Sequence, residues 1–271
     1  MVKSVAAELH NPAEPIRLRM ADILLIHSKR SLWGWLIRLG THCYWNHALM
    51  VCGVEEPGAG YDRAIVVDPK TAGGLEMGHA AQYLDRPDRF DIAVKRLEAD
   101  WFQNEGAPED PLFLRRVCAT AEKQARVKGT GQSWKMAHKI LRQITIIYRF
   151  VRRRIKAPRA EIRLRRIIRP LDVRAFTCGG FIQWCYYQGV FQALDETGQG
   201  KSRLKEIIFN PRLKRRITLF DLLTTTPADL ARCERLSWKY VQIAGKARPV
   251  SSWDDISRIL TPSKSLSDVS L

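Results

Sequence analysis

The chain's candidates for nucleophilic chemistry are its six cysteines, and Cys178 differs from the others in its local context. It follows an irregular segment and stands at the first turn of a helix predicted over 179–194. Backbone N–H groups and the positive end of the helix dipole favour a thiolate there, and the same N–H groups can hold an oxyanion. Gly179 and Gly180 would let a substrate approach the backbone closely. The sequence predicts a nucleophile at Cys178, with an inert core cysteine as the alternative, and the remaining cysteines are predicted to be small core residues.

A cysteine nucleophile needs a base, and the base needs a group that orients it. Among the six histidines, His47 is the candidate because it follows Asn46 at the very start of an apolar strand. The side chain of the first residue of a strand can face a cleft while the residues that follow it in the strand stay buried. Asp68 ends the next predicted strand and is one orienting candidate, and Glu76, eight residues further on, is the rival. The sequence leaves the choice between these two carboxylates open.

The elements that must position these residues change character along the chain. Residues 20–98 have the apolar runs of a β-rich half, with strands predicted at 21–27, 47–52, 64–68 and 91–97 and helices at 31–40 and 78–84. From residue 111 the apolar period becomes helical, with helices predicted at 112–127, 133–155 and 179–194 and a short one from Thr226. A last strand is predicted at 238–243, and the Ser-rich tail over 251–271 is predicted to be loose.

These residues carry a resemblance to a known family. The chain is similar to the circularly permuted papain-like amidases of the YaeF/YiiX kind, relatives of the NlpC-type cell-wall peptidases and of lecithin retinol acyltransferase. The matching segments share an order along the chain: Ala21-Asp22-Ile23-Leu24-Leu25, Trp45-Asn46-His47-Ala48, Val66-Val67-Asp68-Pro69, Phe176-Thr177-Cys178-Gly179-Gly180-Phe181 and Thr226-Pro227-Ala228-Asp229-Leu230. The histidine precedes the cysteine, which marks the permutation, since ordinary papain-like enzymes have the cysteine first.

The resemblance implies an α+β fold in which an antiparallel sheet carrying His47 and Asp68 packs against the helix that begins at Cys178. We predict a single domain of this kind over 20–250, and composition and charge add a leader at 1–19 and a basic helical insertion at about 130–170. Cys178 is then the nucleophile, His47 the general base and acid, and Asp68 the orienting group. The substrate-binding positions expected beside them are Gly179, Gly180, Trp45, Asn46 and Glu76.

Two departures from the family pattern affect the site. The family commonly has Ser-Glu directly after the cysteine, where this chain has Gly179-Gly180. Its acidic residue is more often Glu, and Asp68 is one methylene shorter. Substrate preference, part of the oxyanion environment and the position of the imidazole are the properties that these differences would alter.

The chain's charge is concentrated in one segment. The net charge is +17, but residues 111–176 contain 19 Lys/Arg and 3 Asp/Glu, while the rest contains 26 and 25. Three interpretations compete for this segment: a solvated face, a helix lying on an anionic membrane, and a weakly specific nucleic-acid contact, the last being less favoured. The residues predicted to bind a membrane or another anion are Arg149, Arg152, Arg153, Arg154 and Lys156.

The apolar runs predict neither a signal peptide nor a transmembrane stretch. The cysteines lack a Cys-x-x-Cys pair, so we predict a cytoplasmic protein with reduced thiols. In one interpretation this protein is peripheral to a membrane. No metal or other cofactor is expected, because His42, Cys43 and His47 have no second ligand pair and no phosphate loop is found. The function classes are a cysteine hydrolase (an amidase, a peptidase, or an ester or thioester hydrolase), a related lipid acyltransferase, or a non-catalytic protein that binds a membrane or nucleic acid on a papain-like scaffold. The oligomeric state is not predicted.

Overall fold

The computed structural model describes residues 17–54, 63–70, 74–103, 111–129, 177–210 and 219–260. Over these ranges the chain forms an α+β structure with a seven-stranded antiparallel sheet and eight α-helices. In the described part of the chain, no helix is both long enough and apolar enough to cross a membrane.

The sheet brings together strands from both ends of the chain. The strands are β1 (Ile23–Ser28), β2 (His47–Val54), β3 (Ala64–Lys70), β4 (Gly74–His79), β5 (Phe90–Leu97), β6 (Leu236–Ile243) and β7 (Lys246–Pro249). Their order is β4-β3-β2-β1-β5-β6-β7. β1 is central because its apolar run is buried on both faces: Ile23 and Leu25 belong to one core cluster, and Leu24 and Ile26 belong to the other.

The helices are α1 (Leu32–Thr41), α2 (Ala81–Leu84), α3 (Asp100–Gln103), α4 (Leu112–Gly129), α5 (Cys178–Glu196), α6 (Leu219–Leu223), α7 (Pro227–Arg232) and α8 (Trp253–Leu260), and a 3₁₀ helix covers Lys201–Lys205. α4 and α5 pack on each other, and both contact β2. Their close approach depends on Gly189, where an added Cβ would lie 2.5 Å from the backbone nitrogen of Val117. The pair fixes the helix that begins at Cys178 against the sheet.

A buried ion pair joins the start of β1 to β5. Asp22 is fully buried and accepts hydrogen bonds from Arg96 Nε at 2.6 Å and from Arg96 Nη2 at 2.7 Å. The backbone N–H of Arg19 donates to the same carboxylate at 2.8 Å. The charges are therefore paired and hydrogen-bonded, as buried charges must be.

The main predicted strands and helices are confirmed within the described residues, but the structure adds elements that were not predicted, among them β4, β7 and α8. β4 is a strand that the sequence did not reveal, since its residues are not β-branched and its pairing with β3 creates it. β7 was also missed: its short polar sequence pairs with β6 through a turn at Ala244 and Gly245, which have φ of 49° and 81°.

The tail predicted to be loose from residue 251 instead begins with α8. Ser252 and Asp255 cap this helix reciprocally: Asp255 N donates to Ser252 Oγ at 3.2 Å, and Ser252 N donates to the Asp255 carboxylate at 3.0 Å. Ile256 is fully buried in the core. The Ser-rich composition hid a capping box followed by an amphipathic turn. The predicted helix 133–155 lies outside the described residues.

Candidate active site

His47 and Asp68 come together because of the register between β2 and β3. Met50 pairs with Val67, so one residue earlier in β2 Leu49 stands opposite Asp68. His47, two residues before Leu49, is therefore the diagonal neighbour of Asp68 on the same face. His47 Nε2 lies 2.7 Å from Asp68 Oδ1. The orienting contact is thus built by two adjacent strands.

The carboxylate of Asp68 has a second partner that fixes it. Tyr83, from α2, donates its hydroxyl hydrogen to Asp68 Oδ2. Asp68 is 1% exposed, and the ring of Tyr83 packs edge-on against Phe90 with centroids 5.1 Å apart. Burial raises the pKa of Asp68, but the hydrogen bond to His47 and the charge on His47 more than reverse this, and the net direction is downward. Asp68 is therefore held as a carboxylate with both oxygens occupied.

The third member of the group, Cys178, reaches the other side of the imidazole. Its side chain is hydrogen-bonded to His47. Because Nε2 is occupied by Asp68, the ring nitrogen left for the sulfur is Nδ1. Cys178 is half-buried, and the side chain of His47 is 21% exposed, so solvent-borne molecules have access to the pair.

The electrostatics of the site favour a charged imidazole. Burial by itself lowers the pKa of His47, but the negative charge of the Cys178 thiolate and hydrogen bonds to Asp68 and Cys178 outweigh burial and raise the pKa of His47 to about 10. A charged imidazole beside the carboxylate of Asp68 is the form that this arrangement stabilises at neutral pH.

The start of α5 supplies free backbone donors beside the sulfur. Thr177 is the N-cap, and its Oγ1 accepts a hydrogen bond from Gly180 N at 2.9 Å. Cys178 and Gly179 hold the first two positions of the helix, where N–H groups have no acceptor within the helix. These two N–H groups are the candidates for holding an oxyanion.

The two glycines after Cys178 are required by close packing on the side where a Cβ would stand. An added Cβ at Gly180 would lie 2.0 Å from Leu223 O, and one at Gly179 would lie 2.7 Å from Thr225 O. Both glycines are buried. The prediction of open space beside the two glycines is wrong, because the backbone between α6 and α7 occupies it, and the substrate contact considered for Gly179 is with its N–H alone.

Two other predicted substrate contacts, Trp45 and Asn46, are also wrong. Trp45 is fully buried in the core, with its ring 6.5 Å from that of Trp238. Asn46 is 3% exposed, and its side chain accepts from Ser28 N at 3.1 Å and donates to Ser28 O at 3.3 Å. Both residues shape the turn that leads into His47, and neither faces solvent.

The rival carboxylate, Glu76, lies on the edge strand β4 and pairs with Lys70. Its side chain is half-exposed, and its partner Lys70 also lies 3.9 Å from Asp68 Oδ2. Of the two carboxylates that the sequence left open, the structure brings Asp68 to the imidazole. Glu76 stays near the site without touching His47.

Sequence reasoning missed Tyr83 and the support behind Cys178. Tyr83 falls in the predicted segment 78–84, but nothing in its spacing links it to Asp68, which is fifteen residues away. The hydroxyl of Thr177 donates to Thr225 O, tying the start of α5 to the turn before α7. The polar Thr226-Pro227 start of α7 was the available signal that this turn is fixed, since it has a complete capping box. The predicted anion-binding residues lie outside the described residues: Arg149, Arg152, Arg153, Arg154 and Lys156.

Comparison with known proteins adds no relative: no protein-family model, curated protein or solved structure matches the chain. The resemblance to permuted papain-like amidases therefore stays a prediction from the sequence motifs. The site geometry is the basis on which a function can be proposed.

Proposed function

We propose that the protein is a cysteine hydrolase of the permuted papain-like type that acts on an amide or ester through an acyl-enzyme. The observation that carries this proposal is the chain of contacts from Cys178 through His47 to Asp68, with Asp68 fixed in turn by Tyr83. A nucleophile, a base and an orienting group in hydrogen-bond contact are the parts that covalent catalysis requires.

The first half of the reaction makes a thioester. The Cys178 thiolate attacks the substrate carbonyl carbon, and the C=O electron pair moves to oxygen, which the N–H groups of Cys178 and Gly179 stabilise. The intermediate collapses with cleavage of the C–N or C–O bond. His47 gives its Nδ1 proton to the leaving nitrogen or oxygen, while Asp68 keeps the ring oriented through Nε2.

The second half releases the acyl group. His47, now neutral, accepts a proton from water as the water oxygen attacks the thioester, and the sulfur leaves as the thiolate. The carboxylic acid departs, and the thiolate–imidazolium pair is restored. An alcohol or amine in place of water would give acyl transfer by the same steps, which is the related acyltransferase activity.

The proposal is tested by labelling and by a probe ester. With iodoacetamide at neutral pH, we expect Cys178 to be alkylated before the other five cysteines, as located by peptide mass spectrometry. With p-nitrophenyl acetate, we expect an acetyl group on Cys178 and turnover that falls to background in Cys178→Ala and by about 10²-fold or more in His47→Ala.

Cys43 provides the matched control, because it is the other half-buried cysteine. Burial raises the pKa of Cys43, so it is expected to label slowly, and Cys43→Ala should keep full activity. Equal labelling of Cys43 and Cys178, or probe hydrolysis that survives Cys178→Ala, would leave a non-catalytic binding protein as the better interpretation.

We also infer that the basic segment attracts the protein to anionic surfaces in a reducing, cytoplasmic compartment. Its balance of 19 Lys/Arg against 3 Asp/Glu supports attraction to phospholipid headgroups. All six cysteines are free, as the proposed compartment requires. Flotation with anionic vesicles, repeated after neutralising Arg152, Arg153 and Arg154, tests this role, and binding unchanged by those substitutions would contradict it.

A further inference from the structure

Helix α1 has an apolar face that the fold leaves in solvent. Leu32 is 74% exposed, Trp35 51%, Leu36 40% and Leu39 57%. Spacings of three and four residues put all four side chains on one stripe of the helix. The opposite side is packed on the body of the protein, where an added Cβ at Gly34 would lie 2.6 Å from Asn46 Nδ2.

Most of the exposed large hydrophobic side chains in the described residues lie on this stripe. Among the described residues, six large hydrophobic side chains are exposed, and four of them belong to α1. The other two, Met77 and Trp253, lie on β4 and α8. Single exposed hydrophobics need no explanation, but a contiguous apolar stripe on a helix marks a contact surface.

Cations border the stripe at its N-terminal end. Lys29 and Arg30 directly precede the helix. Lys29 Nζ lies 2.8 Å from Asp91, a carboxylate that is 3% exposed on its side chain. Arg30 keeps 71% of its side chain exposed and is 3.6 Å from the exposed Asp88, a weak surface pair.

Two further arginines border the rest of the helix. Arg38, in its last turn, contacts His27 Nε2 at 2.7 Å. Burial lowers the pKa of His27, so this partner is neutral and does not cancel the arginine charge. Arg232, from α7, is exposed and donates to the carbonyls of Thr41 and His42 at the helix end. An apolar stripe flanked by cations is the pattern of a helix that lies in a membrane interface.

We infer that α1 docks on an anionic phospholipid bilayer, with the stripe from Leu32 to Leu39 in the headgroup and acyl boundary. The net charge of +17 supplies long-range attraction to such a surface, and the stripe supplies the apolar contact that attraction alone lacks. α1 ends at Thr41, a few residues before His47, so docking would hold the site next to the bilayer. This inference is about a surface and does not depend on Cys178 being catalytic.

The experiment compares binding of the full chain to two kinds of vesicle, phosphatidylcholine alone and phosphatidylcholine with phosphatidylserine. We expect stronger binding to the anionic vesicles and a blue shift of Trp35 fluorescence, measured as the difference between wild type and Trp35→Phe. The double variant Leu32→Ser, Trp35→Ser should bind the anionic vesicles at least about tenfold more weakly, since two exposed apolar side chains lose their contact with the bilayer. Trp253→Ser removes an exposed tryptophan elsewhere and should bind like wild type.

Three results would overturn the inference. The first is equal vesicle binding by wild type and the double variant, or no binding by wild type. The second is protection of Trp35 from acrylamide quenching in the free protein, which would show that another segment of this chain covers the stripe. The third is a dimer in sedimentation that the double variant loses, which would show that a second copy covers it. Iodoacetamide labelling of Cys178, run on the same samples without vesicles, reports the proposed chemistry separately.

Discussion

Replacing Asp68 with Asn tests the electrostatic logic of the site most directly. The change keeps the shape of the side chain, but Asn has one acceptor oxygen where Asp68 has two. The Tyr83 hydroxyl and His47 Nε2 both bond to the carboxylate, so in the variant Tyr83 can keep the oxygen while the amide NH₂ faces Nε2. An NH₂ donor requires Nε2 to be an acceptor, which favours the neutral imidazole.

The magnitude follows from the charge that is lost. An opposite charge in contact with an ionisable group shifts its pKa by about 1 to 3 units, which corresponds to about 1.4 to 4 kcal/mol. The pKa of His47 is raised to about 10 by the Cys178 charge and by Asp68. In Asp68→Asn we expect the pKa of His47 to fall to between about 7 and about 9, because only the Cys178 contribution remains.

The pH dependence has a definite sign. The unfolded chain titrates at the ordinary histidine pKa of 6.5, and the folded wild type at about 10. The stabilisation from the protonated ring is therefore fully present below 6.5 and is lost as the pH rises through 10. In Asp68→Asn the loss occurs at lower pH, and probe hydrolysis that needs His47 as an acid loses its alkaline activity earlier.

The assay is an NMR titration of the ¹⁵N-labelled imidazoles, with the His47 resonances identified by their absence in His47→Gln. Glu76→Gln is the matched control, because it removes a neighbouring carboxylate that pairs with Lys70 and does not touch the ring. The control should leave the pKa of His47 near its wild-type value. If Asp68→Asn titrated like wild type, the claim that Asp68 stabilises the imidazolium would be wrong.

Three further substitutions have expected outcomes. Gly180→Ala should lower the free energy of unfolding by at least about 1 to 3 kcal/mol in urea denaturation, since the new Cβ would meet Leu223 O at 2.0 Å. The same substitution should slow the labelling of Cys178. Arg96→Met should cost about 3 to 5 kcal/mol in the same assay, because it leaves the buried charge of Asp22 unpaired. Tyr83→Phe should lower probe turnover and shift its pH profile, with a loss of about 1 kcal/mol of stability for the missing hydrogen bond.

The first two of these substitutions have a control at an exposed or open position. Gly40→Ala adds a Cβ with no neighbour within 4 Å and should be neutral or stabilising. Arg30→Met breaks an exposed pair and should change stability by less than about 1 kcal/mol. A Gly180→Ala protein as stable as wild type, or an Arg96→Met protein no worse than Arg30→Met, would contradict the packing described. For Tyr83→Phe, an unchanged pH profile would reduce the tyrosine to a purely structural contact.

The sequence was most informative where the local pattern alone decides the structure. Strands β1 and β2 have apolar runs that no helix period explains, and α7 begins at a Thr-Pro-x-Asp capping box that satisfies its own N–H groups. Cys178 at the start of α5 and His47 at the start of β2 could be chosen as site candidates for the same reason, since element ends are where side chains face clefts.

The sequence misled where a residue's role depends on what packs against it. The sequence Gly179-Gly180 does not show whether a substrate or the backbone of Leu223 fills the space beside it. Trp45 and Asn46 flank His47 in sequence, yet the turn aims them into the protein. Tyr83 reaches Asp68 only because α2 packs into the core cluster that contains Leu24 and Ile26.

By itself, the sequence predicted the α+β class and the main strands and helices, selected Cys178 and His47 as candidates, and showed the concentration of charge in one segment. Only the tertiary structure decided that Asp68 and not Glu76 meets His47, because the β2–β3 register sets which carboxylate is the diagonal neighbour. It also decided that the stripe of α1 faces solvent. Periodicity shows that a helix has an apolar face, but only the packing of the other elements determines whether anything covers it.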